Sequence, residues 1–315
     1  MNAFDWVAQI LGILVALLTA PLFLGWVNQC RAWLQNKSAP PLLQPYRGIR
    51  KLFYKDAVIA SNASQLFRLA PYVVFGTMVM AAAIIPSVAT RLPFTRAADA
   101  IALVGLFATA RVFVSLAAMD VGTAFGTLGA RREMMIGFLA EPALLMVIFV
   151  ASLISATTAL PAISELLATQ SLALYPSLAF TAVAFTMVLL AENARIPVDN
   201  PATHLELTMI HEAMLLEYSA RHLALMEWAA ALKLFNYVCI GLALFLPWGL
   251  ATRQEPFALT VALLLLGAKL VLAGAGIALI ETVSAKLRVF RAPEFLATAF
   301  LFAVLGLLVR LMLGA

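Results

Sequence analysis

Long apolar runs separated by short polar connections dominate this chain of 315 residues. Eight of the runs approach the roughly 20 residues that an α-helix needs to cross the hydrocarbon core of a bilayer. The first run follows Asp5, lacks a basic segment ahead of it and is long enough to span, so we interpret it as a retained helix and not a signal peptide. The predicted spans are 6–27, 70–89, 100–119, 138–160, 173–190, 223–248, 258–280 and 295–313.

The pattern therefore predicts an all-α, polytopic membrane protein with about eight transmembrane helices in a single membrane domain, residues 1–315. Its connections differ strongly in charge. Fourteen lysine and arginine residues lie in the connections 28–69, 120–137, 191–222 and 281–293, whereas the opposite set carries three, Arg91, Arg96 and Arg253. The positive-inside rule predicts that the first set is cytoplasmic and that both termini lie on the non-cytoplasmic side. Within the first connection, residues 46–60 predict a short amphipathic surface helix.

The composition restricts the classes of function that the chain can have. Hydrophobic residues make up 63% of the chain and charged residues 12%, with a mean hydropathy of +0.98; a soluble domain carries roughly twice that charged fraction. No basic and aromatic patch points to nucleic acid. Cys30 and Cys239 are isolated, and no phosphate-binding glycine motif follows a strand pattern. We therefore expect no metal, cofactor or redox centre in the chain itself.

One polar segment, residues 192–217, stands between two apolar runs. Carboxylates beside hydrocarbon are costly unless they face water, a partner charge or a proton path, so they are functional candidates. Glu192 and Arg195 are three residues apart, and on a helical end they would share a face and pair. Such a pair is either a charged helix cap or a switchable proton carrier, Glu192 held by Arg195. The acids of the segment are Glu192, Asp199, Glu206, Glu212 and Glu217.

The same segment predicts a helix from Thr203 onward. It contains His204 and His211, which lie within two turns of Glu212. A metal site of two histidines and a glutamate is one interpretation of this spacing. Histidines on an amphipathic helix more often form interfacial hydrogen bonds, so we favour that interpretation and predict no metal ligands here.

Four ionisable residues lie deeper in the predicted spans. An unpaired charge at the bilayer centre costs about 2.5–3.5 kcal/mol on insertion scales. Structural pairing between helices and a proton relay both explain such residues, and the sequence leaves both interpretations open. The four residues are Arg111, Glu227, Lys233 and Lys269.

Several separate motifs resemble one known family. The stretches AENARIPVDNPATHLELTMIHEAMLLEYS, LLQPYRGIRKLFYKD, FRLAPYV and GTLGARREMMIGFLAEP are similar to the complex I subunit 1 family. That family includes the homologous membrane subunit of energy-converting nickel-iron hydrogenases of the formate hydrogenlyase type. The likeness covers most of the chain, and the eight-helix count agrees with it.

The resemblance implies a membrane subunit that docks a hydrophilic electron-transfer arm on its cytoplasmic face and provides a proton path. Some residues are assigned to this path by the resemblance and others because they are ionisable residues within the predicted spans. Together they are Glu192, Arg195, Asp199, Glu206, Glu217, Glu141, Glu227, Lys233, Lys269 and Arg111. The residues expected to dock the partner are Arg47, Arg50, Lys51, Arg131 and Arg132.

Departures from the complex I pattern favour the hydrogenase side of the family. Ala202 and His204 stand where complex I has glutamates, and the stretch between Leu207 and Glu217 is shorter. The leading expectation is a subunit of an energy-converting hydrogenase complex. The alternative is the quinone-site and proton-channel subunit 1 of a respiratory NADH:quinone oxidoreductase. A free-standing secondary transporter is a third class, and the lack of an inverted repeat disfavours it.

The resemblance also implies the setting. The expected partners are hydrogenase large and small subunits, antiporter-like membrane subunits and membrane lipid, with no nucleic acid. A nickel-iron centre and iron–sulfur clusters belong to the partner subunits, and a quinone stays an open question. The expected location is the inner (cytoplasmic) membrane.

Overall fold

The structure, a computed structural model, describes residues 3–90, 92–96, 99–169, 175–199, 210–251, 255–285, 287 and 291–313. These residues form eleven α-helices and a short 3₁₀ helix, Pro93–Arg96. The helices are α1 (Ala3–Leu34), α2 (Gln44–Phe53), α3 (Gln65–Ile84), α4 (Ala100–Asp120), α5 (Ala124–Ser155), α6 (Leu160–Thr169), α7 (Ser177–Glu192), α8 (His211–Leu215), α9 (Ala220–Phe245), α10 (Pro256–Val283) and α11 (Ala292–Leu313).

Apolar helices stand at all eight predicted positions, which confirms the all-α membrane class. Seven of them, α1, α3, α4, α5, α9, α10 and α11, are long and apolar enough to cross a membrane. The eighth, α7, has 16 residues, fewer than the roughly 20 of an average span. The arrangement follows from the solvent, because a chain inside lipid must satisfy its backbone hydrogen bonds within its own helices.

Helix α5 begins earlier than predicted. The sequence predicts a connection over residues 120–137, but the helix starts at Ala124, where the Thr123 hydroxyl caps it by accepting from Gly126 N at 3.4 Å. Gly126 serves close packing and not a turn, since a Cβ there would stand 2.6 Å from the Ala118 carbonyl oxygen. With 32 residues, α5 is about 48 Å long. It is therefore longer than the roughly 30 Å hydrocarbon core of a typical bilayer.

Three further differences concern short elements. Helix α2 ends at Phe53 and not near residue 60, because the chain that follows turns away to hydrogen-bond with other connections. Helix α6 lies in a stretch for which the sequence predicted no element. The helix predicted from Thr203 falls partly on 200–209, outside the described residues, and the described helical part is α8.

Helix α9 is the central element of the bundle. In its most apolar window 72% of the residues are buried, against 28% for α10 and 22% for α11. It packs against α1, α2 and α3, and the buried Tyr237 ring stacks on Phe107 of α4 at 4.7 Å. Polar side chains on α9 therefore face other helices and not lipid wherever they are buried.

Three connections meet at the end of the bundle where α9 begins. Val58, in the connection between α2 and α3, exchanges two hydrogen bonds with the Ser219 hydroxyl, at 2.9 and 2.6 Å. The backbone N–H of Ser64 donates to Asp120 at 2.8 Å, and the Asn62 amide donates to the Val121 carbonyl at 2.6 Å. The connections 28–69, 120–137 and 191–222 thus contact one another at a single surface.

Candidate functional site

A cavity of about 390 Å³ lies between α1, α3, α4 and α9, closed on one side by residues 192–196 and α8. Much of its wall is apolar, from residues such as Leu24, Met78 and Met226. Its charged and titratable lining comes from seven parts of the chain that are far apart in sequence. These residues are Arg31, Arg111, Glu133, Glu192, Arg195, His211, Glu212, Lys233 and Glu281.

The Arg111 side chain lies across one face of α5. Glu133, Gly137 and Glu141 are spaced by four residues and therefore share that face. A Cβ on Gly137 would stand 2.6 Å from Arg111 Cδ, so the glycine provides the space in which the guanidinium lies. Arg111 Nε is 3.5 Å from Glu133 Oε1, and its terminal nitrogens donate to Glu141 and Glu192. One buried cation thus joins three carboxylates.

Glu192 lies between two cations. It is the last residue of α7, 1% exposed, and pairs with Arg111 and with Lys233 Nζ, which is 2.9 Å from its Oε2 atom. Burial of a carboxylate in a low dielectric is tolerated only with such partners. Arg111, Glu133, Glu141, Glu192 and Lys233 form one connected set of ion pairs, which we call the Arg111 group.

The predicted pair of Glu192 with Arg195 does not form. Helix α7 ends at Glu192, and Ala194 adopts a left-handed conformation with φ of 52°, so the next residues leave the helical path. Arg195 instead pairs with Glu281 of α10 at 3.1 Å. Spacing by three residues predicts a shared face only while the helix continues.

Arg31, Arg195 and Glu281 form a second set, the Glu281 group. Arg31 Nη1 is 3.5 Å from Glu281 Oε2, so one buried carboxylate serves two guanidinium groups. Burial lowers the pKa of Arg195, and the charge of Glu281 opposes that shift. The group ties α1, α10 and the segment that follows α7 to one another.

His211, the first residue of α8, connects the segment after α7 to the Arg111 group. Its Nε2 is 3.5 Å from Glu133 Oε2 and its Nδ1 is 3.8 Å from Asp199 Oδ2. The backbone N–H of His211 also donates to Asp199 at 3.3 Å. Burial lowers the pKa of His211, but Glu133 and Asp199 outweigh it and the pKa lies above its ordinary value. The imidazole is therefore poised to carry a proton beside a buried carboxylate.

Other predicted path residues lie apart from these groups. Glu217 follows α8, Glu227 is exposed on α9, and Lys269 donates to the carbonyls of Leu246, at 2.6 Å, and Trp248 beyond the far end of α9. No ion pair joins Glu217, Glu227 or Lys269 to either group in the described part of the chain. Their place in a path stays a prediction, and Glu206 lies outside the described residues.

The predicted docking residues are at the surface. Arg47, Arg50 and Lys51 are exposed on one face of α2, whose opposite face buries Ile49. At the start of α5, Arg131 is exposed and Arg132 partly buried. Basic side chains are thus available on two of the three connections that contact one another.

Sequence reasoning missed Arg31, Glu133, Gly137 and Glu281 as parts of the site. The spacing of Glu133, Gly137 and Glu141 is a usable signal, but only if α5 is known to begin before residue 133. Arg31 and Glu281 lie near the ends of α1 and α10. Nothing in their local sequence shows that these two helices pack together.

No group of three or more His, Cys, Asp or Glu residues suited to a metal ion occurs among the residues that the structure describes. The metal site of His204, His211 and Glu212, weighed from the sequence, includes His204, and His204 lies outside the described residues. Cys30 and Cys239 are both buried, on α1 and α9.

Comparison with known proteins supports the resemblance. The sequence matches the NADH dehydrogenase family over residues 8–312. It is 34% identical over 297 residues to formate hydrogenlyase subunit 4 of Escherichia coli K12, which covers 93% of this chain and 94% of that protein. Hydrogenase-4 component C of the same organism is 36% identical over 238 residues, 75% of this chain and 74% of that protein.

Among solved structures, the fold is similar to a chain of the membrane-bound sulfane sulfur reductase, an archaeal respiratory membrane complex. The TM-score is 0.83 at 17% sequence identity, over 97% of this chain and 99% of that one. At this identity the likeness concerns the fold alone.

Proposed function

Because the chain belongs to the NADH dehydrogenase family of complex I subunit 1-like proteins, we propose that it is the membrane subunit of an energy-converting hydrogenase complex of the formate hydrogenlyase type. The observation that carries this proposal is the 34% identity to formate hydrogenlyase subunit 4 along 93% of the chain. In this role it is a multi-pass protein of the inner membrane. Its partners are the hydrogenase large and small subunits, which hold the nickel-iron centre and iron–sulfur clusters, and antiporter-like membrane subunits.

The first task in this role is docking of the redox arm. The surface formed by the connections 28–69, 120–137 and 191–222 supports it, because these connections are joined by hydrogen bonds and present exposed basic residues. Exposed charges steer association and fix orientation more than they add affinity. A rigid, basic surface suits a partner that must hold one orientation through repeated electron transfers.

The second task is an ion path, carried by the Arg111 group. A buried carboxylate is favoured in its ionised form by a neighbouring cation, and the neutral form is favoured when that cation moves away in a low-dielectric environment. Movement of Arg111 or Lys233 in response to the redox partner therefore provides the coupling, with Glu192 as the central proton carrier.

One observation favours the alternative, a quinone-site subunit of a respiratory complex. The cavity has a volume of about 390 Å³ and an extensive apolar wall, within the 300–1,000 Å³ range of many small-molecule sites. Its charged lining would then orient a polar headgroup.

Purification of the tagged chain with its partners tests the identity of the complex. We expect stoichiometric nickel in the purified assembly. A flavin-containing assembly without nickel supports the respiratory alternative and contradicts the proposal. Removal of the chain from a nickel-containing complex without loss of membrane-coupled activity would also contradict it.

Cross-linking tests the docking surface. Both native cysteines are buried, so Arg131→Cys supplies the reactive thiol, and Glu255→Cys at the start of α10 is the matched exposed control. Arg131→Cys should capture a cluster-bearing or hydrogenase-like subunit, and Glu255→Cys should not. Capture of ion-pumping membrane subunits alone from position 131 would refute docking there.

A further inference from the structure

Helix α5 carries an alternation of glycine and glutamate every four residues, Gly129, Glu133, Gly137 and Glu141. A Cβ on Gly129 would stand 2.9 Å from the Ile210 carbonyl oxygen and 3.0 Å from Ala213 Cβ. The absence of a side chain at Gly129 therefore lets α8 pack closely against α5, just as the absence of one at Gly137 leaves space for Arg111. The two glycines bring a different titratable or charged group to each side of Glu133.

From this geometry we propose that Glu133 and His211 are the proton uptake site of the path, His211 passing protons from the cavity to Glu133. The inference rests on the proposed ion path and deepens it by naming where protons enter. It adds two residues that the sequence did not assign to the path, one on α5 and one at the start of α8.

The two carboxylate oxygens of Glu133 face different partners, Arg111 and His211. The residue is 3% exposed, its Oε1 faces Arg111 at 3.5 Å, and its Oε2 has no hydrogen-bond partner among the described residues. That free oxygen faces His211 Nε2 at 3.5 Å. One oxygen is thus held by the Arg111 group while the other is directed at a proton donor.

His211 reaches both the cavity and the carboxylate. Its side chain is 25% exposed and lines the cavity, so the ring can be reprotonated by water there. In the transfer, the Nε2–H proton moves to Glu133 Oε2; His211 becomes neutral, Glu133 becomes neutral, and the charge of the pair is unchanged. A neutral Glu133 binds Arg111 less strongly, which frees the guanidinium to favour Glu141 and Glu192.

The groups around His211 decide its charge. The charged side chains that face it are Glu133 from α5, Asp199 from the segment after α7 and Lys233 from α9, with Glu212 beside it in sequence. The two facing acids outweigh burial and Lys233, so the pKa of His211 is raised above its usual value. The imidazole therefore stays protonated up to a higher pH than a free histidine, and it loses its proton as the pH rises through the raised pKa.

The alternative role is structural, a tie that fixes α8 to α5. Glutamine replacements separate the two roles because they keep much of the shape and hydrogen bonding but cannot carry a proton. The intact complex is reconstituted in vesicles, and proton translocation per electron is measured from pH 6 to 9. The variants are Glu133→Gln, His211→Gln, Glu133→Asp and Glu192→Gln, with Glu165→Gln, an exposed acid on α6, as the control.

We expect Glu133→Gln to lose most of its translocation per electron and Glu133→Asp to lose less, since the shorter acid keeps a titrating group. His211→Gln should lower translocation and abolish its decline with rising pH, a readout that a structural tie would not affect. Glu165→Gln should match the parent. Parental translocation and an unchanged pH profile in His211→Gln and Glu133→Asp would overturn the inference even if Glu133→Gln fails to assemble.

Glu192→Gln distinguishes failure of the proposed ion path from failure of the uptake site alone. Parental translocation in this variant contradicts the proposed ion path itself. Loss of translocation in Glu192→Gln, with parental values in the Glu133 and His211 variants, leaves the path standing and overturns only the uptake site.

Discussion

The Arg111 group and the Glu281 group both contribute charged residues to the same cavity wall, but they differ in the ratio of carboxylates to cations. The Arg111 group has three carboxylates for two cations, whereas the Glu281 group has one carboxylate for two guanidinium groups. Both use residues from several helices, and both contain arginine. The difference lies in which charge is in excess.

In the proposed ion path, that difference favours one group over the other as the proton carrier. A carboxylate of the Arg111 group can be neutralised while two others remain for the cations. Protonation of Glu281 would leave Arg31 and Arg195 without their shared partner, and an unpaired buried charge costs several kcal/mol. The Arg111 group is therefore suited to proton transfer, and the Glu281 group to holding α1, α10 and the segment after α7 in place.

Removal of Arg111 should have the largest effect on stability. Arg111→Gln leaves three carboxylates with Lys233 as their only cation in the group, and loss of one partner from a buried ion pair costs about 3–5 kcal/mol. We expect little assembled complex and a lower melting temperature in what remains. Thermal unfolding of the detergent-purified complex, with Glu165→Gln as the control, measures this. A parental melting temperature would show that other residues compensate the carboxylates.

Replacement of Glu192 should have the largest effect on coupling. Glu192→Gln keeps the shape and removes the titration of the carboxylate between Arg111 and Lys233. Because glutamine cannot carry a proton, proton translocation per electron should fall to the leak level, with Glu192→Asp intermediate. Vesicle acidification per electron measures it. Acidification at the parental ratio would make Glu192 a fixed partner of the two cations, like Glu281.

Replacement of Glu281 should give the opposite result. Glu281→Gln leaves the guanidinium groups of Arg31 and Arg195 with a neutral acceptor and no shared counter-charge, which should cost several kcal/mol. We expect a lower melting temperature and, because Glu281 is not a proton carrier in the proposed path, an unchanged ratio of protons to electrons in the complex that assembles. A reduced ratio would remove the functional distinction between the two groups.

Gly137 offers a smaller change that acts on the Arg111 group alone. Gly137→Ala places a methyl group against the Arg111 side chain, and overpacking of this kind costs about 1–3 kcal/mol. The matched control is Gly105→Ala on α4, where a Cβ meets nothing within 4 Å. In a helix that control should gain up to about 1 kcal/mol. Equal melting temperatures for the two variants would show that Arg111 moves aside without cost.

The two groups also differ from the membrane helices in how well the sequence alone predicts them. The membrane helices were predictable because lipid demands long apolar helices, and the acids of 192–217 were conspicuous because they interrupt that pattern. The partners of those acids were not predictable. Glu192 pairs with α4 and α9 and Arg195 with α10, and such contacts depend on helix packing.

The start of α5 is the clearest example. Gly126, Gly129 and Gly137 lie in a stretch that the sequence predicts as a connection between spans, yet in the structure they are helical residues where neighbouring groups approach closely. Glycine has the same local propensity in both cases, and only the tertiary contacts distinguish them. Without that distinction the face that carries Glu133 could not be recognised.

Within the Glu281 group, the two arginines should differ, and this is the smallest effect that we expect. The Arg31 side chain is 27% exposed and its nitrogen is 3.5 Å from Glu281, while Arg195 is 10% exposed at 3.1 Å. Water screens the partly exposed pair, so Arg31→Gln should cost about 1 kcal/mol or less, because Glu281 keeps Arg195 as its partner. Arg195→Gln should cost more, because it removes the closer and more buried cation and leaves Glu281 with a screened one.

Melting temperatures of the two single variants and the double variant test this order. The double variant should lose more than the sum of the single losses, since only then is Glu281 left without either guanidinium. A strictly additive double variant, or a larger loss from Arg31→Gln than from Arg195→Gln, would mean that the two arginines do not share Glu281 as one unit.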